Sequence, residues 1–162
     1  MNQGTDLSTM FLDILKVSQH EDIKVKKISY IFIMEYAQKN NDLAILAINT
    51  ILKDTEDPNP VIRSLAVRTI GDFDLNLYGD YLCNSVLLTL LKDNDPYVRK
   101  SAVLCVSKIY SKNPDLLTKY HILEAFYNCL VDGNPFVVAN TLRTFLEMIN
   151  GIFYLYSKKS VY

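Results

Sequence analysis

One short pattern, a helix start followed by a single apolar face, recurs along this chain of 162 residues. Its clearest copy is KDNDPYVRKSAV at 92–103, where Asp95 can cap the first turn and Pro96 takes a position at which its missing N–H costs nothing. The other copies are DPNPVIRSLAV at 57–67, GNPFVVANTL at 133–142 and the weaker EDIKVKKISYI at 21–31. The matching positions Ile23, Pro60, Pro96 and Pro135 are 37, 36 and 39 residues apart. The chain is therefore built from repeats.

A repeat of this length, with a helix start in every unit, is typical of stacked helical hairpins. The copies predict four marked helices, near 22–39, 60–73, 96–111 and 135–150. A second set of apolar-periodic segments precedes them, near 6–18, 42–53, 79–92 and 115–130. One hairpin cannot cover its own apolar stripe, so neighbouring hairpins must stack. We predict an all-α protein, an α-solenoid of about four HEAT/armadillo-like repeats in a right-handed superhelix.

The repeated positions include polar residues with a structural role. The predicted caps are Asp22, Asn59, Asp95 and Asn134, and Pro60, Pro96 and Pro135 follow three of them. Arg63 and Arg99 lie four residues after their caps, where each could reach an acidic group on the next repeat and form a ladder along the solenoid. The alternative is a solvated arginine that contributes little to stability. We favour the ladder because the arginine recurs at the same position of the repeat.

Composition and charge exclude several functions. The net charge is −1 without blocks of like charge, so no basic surface for nucleic acid is visible. No apolar run approaches the roughly 18 residues that span a bilayer, and Met1–Met10 is too polar for a secretory signal. Three cysteines without CxxC spacing favour the reducing cytoplasm. Lys24, Lys26 and Lys27 could form a small basic spot, but a solvated helix face is the more common arrangement.

Motifs for catalysis and metal binding are missing from the sequence. It contains no HExxH, no glycine-rich phosphate loop and no GxSxG elbow. Cys105 and His121 could act as nucleophile and base, but Cys105 lies on the predicted buried face, where a thiol usually packs as a small hydrophobe. The two histidines and three cysteines fit no zinc spacing. We therefore predict a protein that is not an enzyme and needs no cofactor or metal.

Three stretches closely resemble the N-terminal trunk of β-type adaptins, the large chains of heterotetrameric vesicle-coat adaptor complexes. They are DLAILAINTILKDTEDPNPVIRSLAVRTIG at 42–71, DYLCNSVLLTLLKDNDPYVRKSAVLCVSKI at 80–109 and DGNPFVVANTLRTF at 132–145. A D-P-x-V-R motif alone would indicate only a generic HEAT or armadillo repeat, whereas these motifs in this order are specific to the family. The resemblance covers about residues 5–147. It suggests a trunk fragment at 1–150, followed by an unmatched aromatic tail at 151–162.

The resemblance implies a non-catalytic, cytoplasmic coat component in vesicle-mediated protein transport. Such trunks curl around the small and medium subunits, pair with a second large chain, and associate peripherally with Golgi, endosomal or plasma membranes to sort cargo. Adaptor trunks also recruit Arf-type small GTPases, through a helix that matches 42–53 here. Ile45 and Ile48 match the contact positions, although two isoleucines at this spacing more often belong to a core.

Some features depart from the family. Its β-type chains are several times longer and begin with a lysine-rich stretch that is absent before Asn2, so we expect a piece or a shortened product. The tail at 151–162 could cap the last repeat or be foreign sequence. The stretches MNQGTDLSTMF and LAILAINT resemble the β chain of the fourth, clathrin-independent adaptor complex. NDPYVRKSAVLCVSKI instead resembles the β chains of the first and second, clathrin-linked complexes. The alternatives are a generic HEAT scaffold, as in nuclear transport or phosphatase regulation, and an enzyme or nucleic-acid binder built on helical repeats.

Overall fold

A computed structural model describes residues 8–37 and 41–159, and throughout these residues the chain is helical with no β-strand. The marked helices are α2 (Ile23–Ala37), α4 (Pro60–Ile70), α7 (Pro96–Lys112) and α10 (Pro135–Lys159). The preceding helices are α1 (Phe11–Val17, after a 3-10 turn at Ser8–Met10), α3 (Asn41–Asp54), α5 (Leu75–Tyr81), α6 (Leu88–Leu90), α8 (Asp115–Lys119) and α9 (Ile122–Asn128). A π-helical segment at Leu82–Leu87 joins α5 to α6, and a 3-10 turn at Cys129–Val131 follows α9.

The marked helices begin with a shared cap. The side-chain oxygens of Asp22, Asn59, Asp95 and Asn134 each accept the backbone N–H two residues further on, at 2.7, 2.9, 2.8 and 2.9 Å. Each cap satisfies one N–H that has no partner in the first helical turn. Proline occupies the first position of α4, α7 and α10, where its fixed φ suits a helix.

The marked helices form one row through the molecule. α4 packs between α2 and α7, and α7 packs between α4 and α10. Small residues allow α4 and α7 to approach closely, and the hydroxyls of Ser64 and Ser101 lie 2.6 Å apart in the buried contact. The core between the two layers includes fully buried Phe11, Ile33, Ile51, Ile70, Leu87, Ile109 and Phe126. The predicted all-α solenoid is confirmed, and the hand of its superhelix stays a prediction.

Lysines of α7 bind the C-terminal end of α4. Lys108 Nζ lies 3.0 Å from the carbonyl oxygen of Arg68 and 2.7 Å from the Asp72 carboxylate. Lys112 Nζ donates to the carbonyl of Gly71 at 2.9 Å. Cations suit this end of a helix because its last carbonyls lack N–H partners and carry partial negative charge. A Cβ at Gly71 would lie 2.9 Å from Lys108 Cδ, so α7 packs closely here.

The first helices of the third and fourth repeats are less regular than predicted. The segment near 79–92 starts earlier, at Leu75, and contains the π-helical turn. The segment near 115–130 is broken at His121, whose φ of 55° is left-handed. This break lets Leu117 and Phe126, on either side of it, both be fully buried. Helix α10 continues past the predicted end at 150, and residues 38 and 39 of the predicted segment 22–39 lie outside the described residues.

Candidate functional site

Two arginines join neighbouring repeats through carboxylates in the loop before the next marked helix. Arg63 Nε and Nη2 donate to the two carboxylate oxygens of Asp93, at 2.8 Å each. Arg99 makes the same contact with Asp132, at 2.6 and 2.8 Å. The side chains are only 16% and 11% exposed in the first pair and 18% and 9% exposed in the second. A bidentate contact of this kind fixes both orientation and distance between the partners.

Each arginine also binds the loop of its own repeat. Arg63 Nη1 donates to the carbonyls of Asp57 and Pro58 at 2.8 and 3.1 Å, and Arg99 makes the matching pair of contacts one repeat later. The Asp93 carboxylate accepts a backbone N–H of its own loop at 2.8 Å. One guanidinium therefore connects two successive inter-helix loops. We call such a contact, between a basic side chain at this position of the repeat and an aspartate before the next marked helix, a rung.

In the first repeat the rung is formed by Lys26, one of the three lysines of α2 for which the sequence favours a solvated helix face. For Lys26 that expectation is wrong, because its side chain is 4% exposed and its Nζ lies 2.6 Å from Asp54 Oδ2. The Tyr30 hydroxyl donates to the same oxygen. Burial, followed by the Asp54 contact, raises the pKa of Tyr30, so the phenol stays protonated. The available signal was register, since Lys26 aligns with Arg63 and Arg99 in the repeat.

The two arginine rungs lower the pKa of their aspartates. The hydrogen bond from Arg99 holds the pKa of Asp132 below its ordinary value. Burial alone would raise the pKa of Asp93, but the hydrogen bonds from Arg63 and from the backbone outweigh it and lower that pKa. At the fourth register position, Val138 has no charge with which to form a rung.

The structure separates the two isoleucines predicted to contact a small GTPase. Ile45 on α3 is 48% exposed, beside the exposed Leu46. Ile48 is 5% exposed and belongs to the core, so its side chain is not available to a partner. Ile45 alone of the pair remains a surface candidate.

The residues considered for catalysis lie in unsuitable environments. Cys105 is fully buried, and burial raises the pKa of its thiol to about 12, so no thiolate nucleophile forms at neutral pH. His121 is exposed at the start of α9. Among the described residues, no three His, Cys, Asp or Glu side chains are grouped as metal ligands would be. No helix in the described parts of the chain combines the length and apolarity needed to cross a bilayer.

Stacked helical pairs with buried rungs between their loops define the class of protein, an α-solenoid. Solved structures share this fold. One chain of a homology model of the full-length AP-3 complex in an intermediate open conformation covers 92% of this chain with a TM-score of 0.76 at 22% identity, and this chain covers 26% of it. The match to a designed armadillo repeat protein in complex with the peptide (KR)4 covers 83% of this chain and 62% of the designed protein. Its TM-score is 0.61 at 21% identity.

The family is more specific than the fold. The family model described as the adaptin N terminal region matches residues 1–158, and this chain belongs to that family. The human AP-1 complex subunit beta-1 is 42% identical over 148 residues, which are 91% of this chain. The subunit of the same name from Saccharomyces cerevisiae is 39% identical over 93% of the chain, and the mouse AP-4 complex subunit beta-1 is 37% identical over 92%. The resemblance to β-type adaptins is confirmed.

The chain is short compared with these relatives. It spans 16% of the human AP-1 subunit and 20% of the yeast AP-1 and mouse AP-4 subunits. The family match extends to residue 158, across the boundary predicted at 150. The division into a trunk at 1–150 and a tail at 151–162 stays a prediction.

Proposed function

We propose that this chain is a non-catalytic structural part of a heterotetrameric adaptor complex that serves vesicle-mediated protein transport. The observation that carries the proposal is the 42% identity, over 91% of the chain, to beta subunits of the AP-1 complex. The generic HEAT scaffold is not favoured, because the relatives found are subunits of adaptor complexes.

The rungs suit a scaffold that holds partner subunits in fixed positions. A bidentate arginine resists rotation of one loop relative to the next better than a single hydrogen bond does. The two arginine rungs therefore limit the bending of the row formed by α4, α7 and α10, and the lysine rung adds a single contact before them. In this proposal the partners are a second large chain, a medium chain and a small chain, on the cytosolic face of Golgi, endosomal or plasma membrane coats.

Co-expression tests this function. The chain is produced with a tagged medium chain and an untagged small chain from the same organism, and the tag is used for purification. We expect the chain to co-purify through washes at raised salt. A designed armadillo repeat protein serves as the control for helical repeats in general. Recovery of the chain no greater than that of the control would contradict the proposal.

We also propose that α3 contacts an Arf-type small GTPase through Ile45. Support comes from the 48% exposure of Ile45 beside the exposed Leu46, which together present apolar surface on one helix. Ile45→Asp should abolish capture of the chain by an immobilised, GTP-loaded Arf-type GTPase. The matched control is Ile28→Asp, which changes an exposed isoleucine on α2 instead. Equal loss in both variants, or no loss in either, would contradict this contact.

A further inference from the structure

A groove of about 580 Å³ runs between α2 and α4 and reaches Tyr97 on α7. Its apolar lining includes Ile31, Val61 and Leu65. Ile31 is 66% exposed although it lies in the middle of a helix, so the groove offers apolar surface to solvent. A concave apolar strip between two helices is a common binding surface for a partner segment.

Uncompensated positive charge lines the same groove. Lys27 projects from α2 and Arg68 from α4, and both line it. Arg68 donates to the Ser64 carbonyl at 3.1 Å and lies 5.8 Å from the centre of the Tyr97 ring. Among the described residues, the side chains of Lys27 and Arg68 form no ion pair. These two cations are therefore available to carboxylates from outside.

The groove also contains two negative groups. Asp72 follows α4, and both of its carboxylate oxygens are bound by Lys108 at 2.7 and 2.9 Å. Glu35 lies in the last turns of α2. Lys100 does not line the groove, but its Nζ is 4.5 Å from the centre of the Tyr97 ring. Near Lys27 the lining is apolar, since Ile23 and Ile31 lie one helical turn to either side of it.

We propose that the groove between α2 and α4 binds an acidic amphipathic segment of a partner protein. Apolar side chains of the segment pack on Ile31 and Leu65, and its carboxylates pair with Lys27 and Arg68. A protein segment fits better than an anionic membrane, because the apolar surface lies in a concavity between two helices that a flat bilayer cannot fill. This inference does not depend on assembly with adaptor subunits.

Fluorescence anisotropy with labelled peptides tests the proposal on the full chain. The probe repeats Glu-Glu-Leu-Leu, and a control peptide repeats Lys-Lys-Leu-Leu. We expect the acidic peptide to bind, its affinity to fall as salt rises, and the basic peptide to bind much more weakly. Equal binding of the two peptides would overturn the proposal. Binding to phosphatidylserine vesicles without binding to the acidic peptide would overturn it as well.

Matched variants locate the binding surface. Lys27→Glu and Arg68→Glu should each weaken binding of the acidic peptide about tenfold, because they place like charges opposite its carboxylates. Ile31→Asp should also weaken it. The controls are Lys24→Glu and Ile28→Asp, which change exposed residues of α2 that do not line the groove. Circular dichroism checks that every variant is helical. If Lys27→Glu or Arg68→Glu unfolds the chain, the neutral variant Lys27→Gln or Arg68→Gln is measured in its place. Equal weakening in the controls and the groove variants would place binding elsewhere.

Discussion

Removing one arginine from a rung should cost far more stability than removing an arginine from the surface. Arg63→Met keeps most of the aliphatic stem but leaves the Asp93 carboxylate, at 11% exposure, without its guanidinium. Exposed ion pairs contribute about 0–1 kcal/mol, whereas breaking a buried pair costs about 3–5 kcal/mol. The Arg63–Asp93 pair lies near the buried limit but keeps some contact with water. We therefore expect the free energy of unfolding to fall by about 2–4 kcal/mol.

The chain supplies a matched control for this experiment. Arg143 pairs with Glu147 at 3.0 Å within one helix, with both side chains largely exposed. Arg143→Met should cost about 0.5 kcal/mol or less. Urea denaturation followed by far-UV circular dichroism measures both variants. A cost for Arg63→Met no larger than that for Arg143→Met would refute the view that rungs hold the repeats together.

The other predictions concern the cap, the core and the response to acid. Asp95→Ala should lower the free energy of unfolding by about 0.5–2 kcal/mol, and Pro96→Ala should change it little; equal thermal midpoints in the two variants would exclude capping by Asp95. Val106→Asp buries a charge at a fully buried site of α7 and should unfold the chain, so a helical, soluble variant would contradict the core assignment. The lowered pKa values of Asp93 and Asp132 stabilise the fold at any pH above the ordinary aspartate value, and this contribution is lost as pH falls through the folded-state pKa. The temperature of the thermal midpoint should therefore decrease when the solution is brought below about pH 4. A variant lacking both Arg63 and Arg99 should show a smaller decrease.

The marked helices could be predicted from the sequence because their starts are encoded locally. An Asp or Asn cap followed by proline is complete within three residues, and α4, α7 and α10 begin at Pro60, Pro96 and Pro135. The spacing of these starts then implies stacking, because each unit repeats the same unpaired apolar face. Neither step needs knowledge of distant contacts.

The irregular helices depend on contacts that a local pattern does not show. The left-handed residue His121 and the π-helical turn before Leu88 let nearby apolar residues reach a core made by other repeats. The burial of Lys26 has the same origin, since its partner Asp54 lies 28 residues away in sequence. Likewise, the spacing of Ile45 and Ile48 does not tell which of them faces the next helix.

Quantitative mass spectrometry of the proteins bound to the tagged gene product in its own cells is the most direct test of the central claim. Membership of an adaptor complex predicts a second large chain, a medium chain and a small chain in similar amounts. It also predicts their loss when the tagged product carries Val106→Asp, which disrupts the core of the solenoid. Recovery dominated by nuclear transport receptors or phosphatase subunits, with no adaptor subunit enriched, would contradict it.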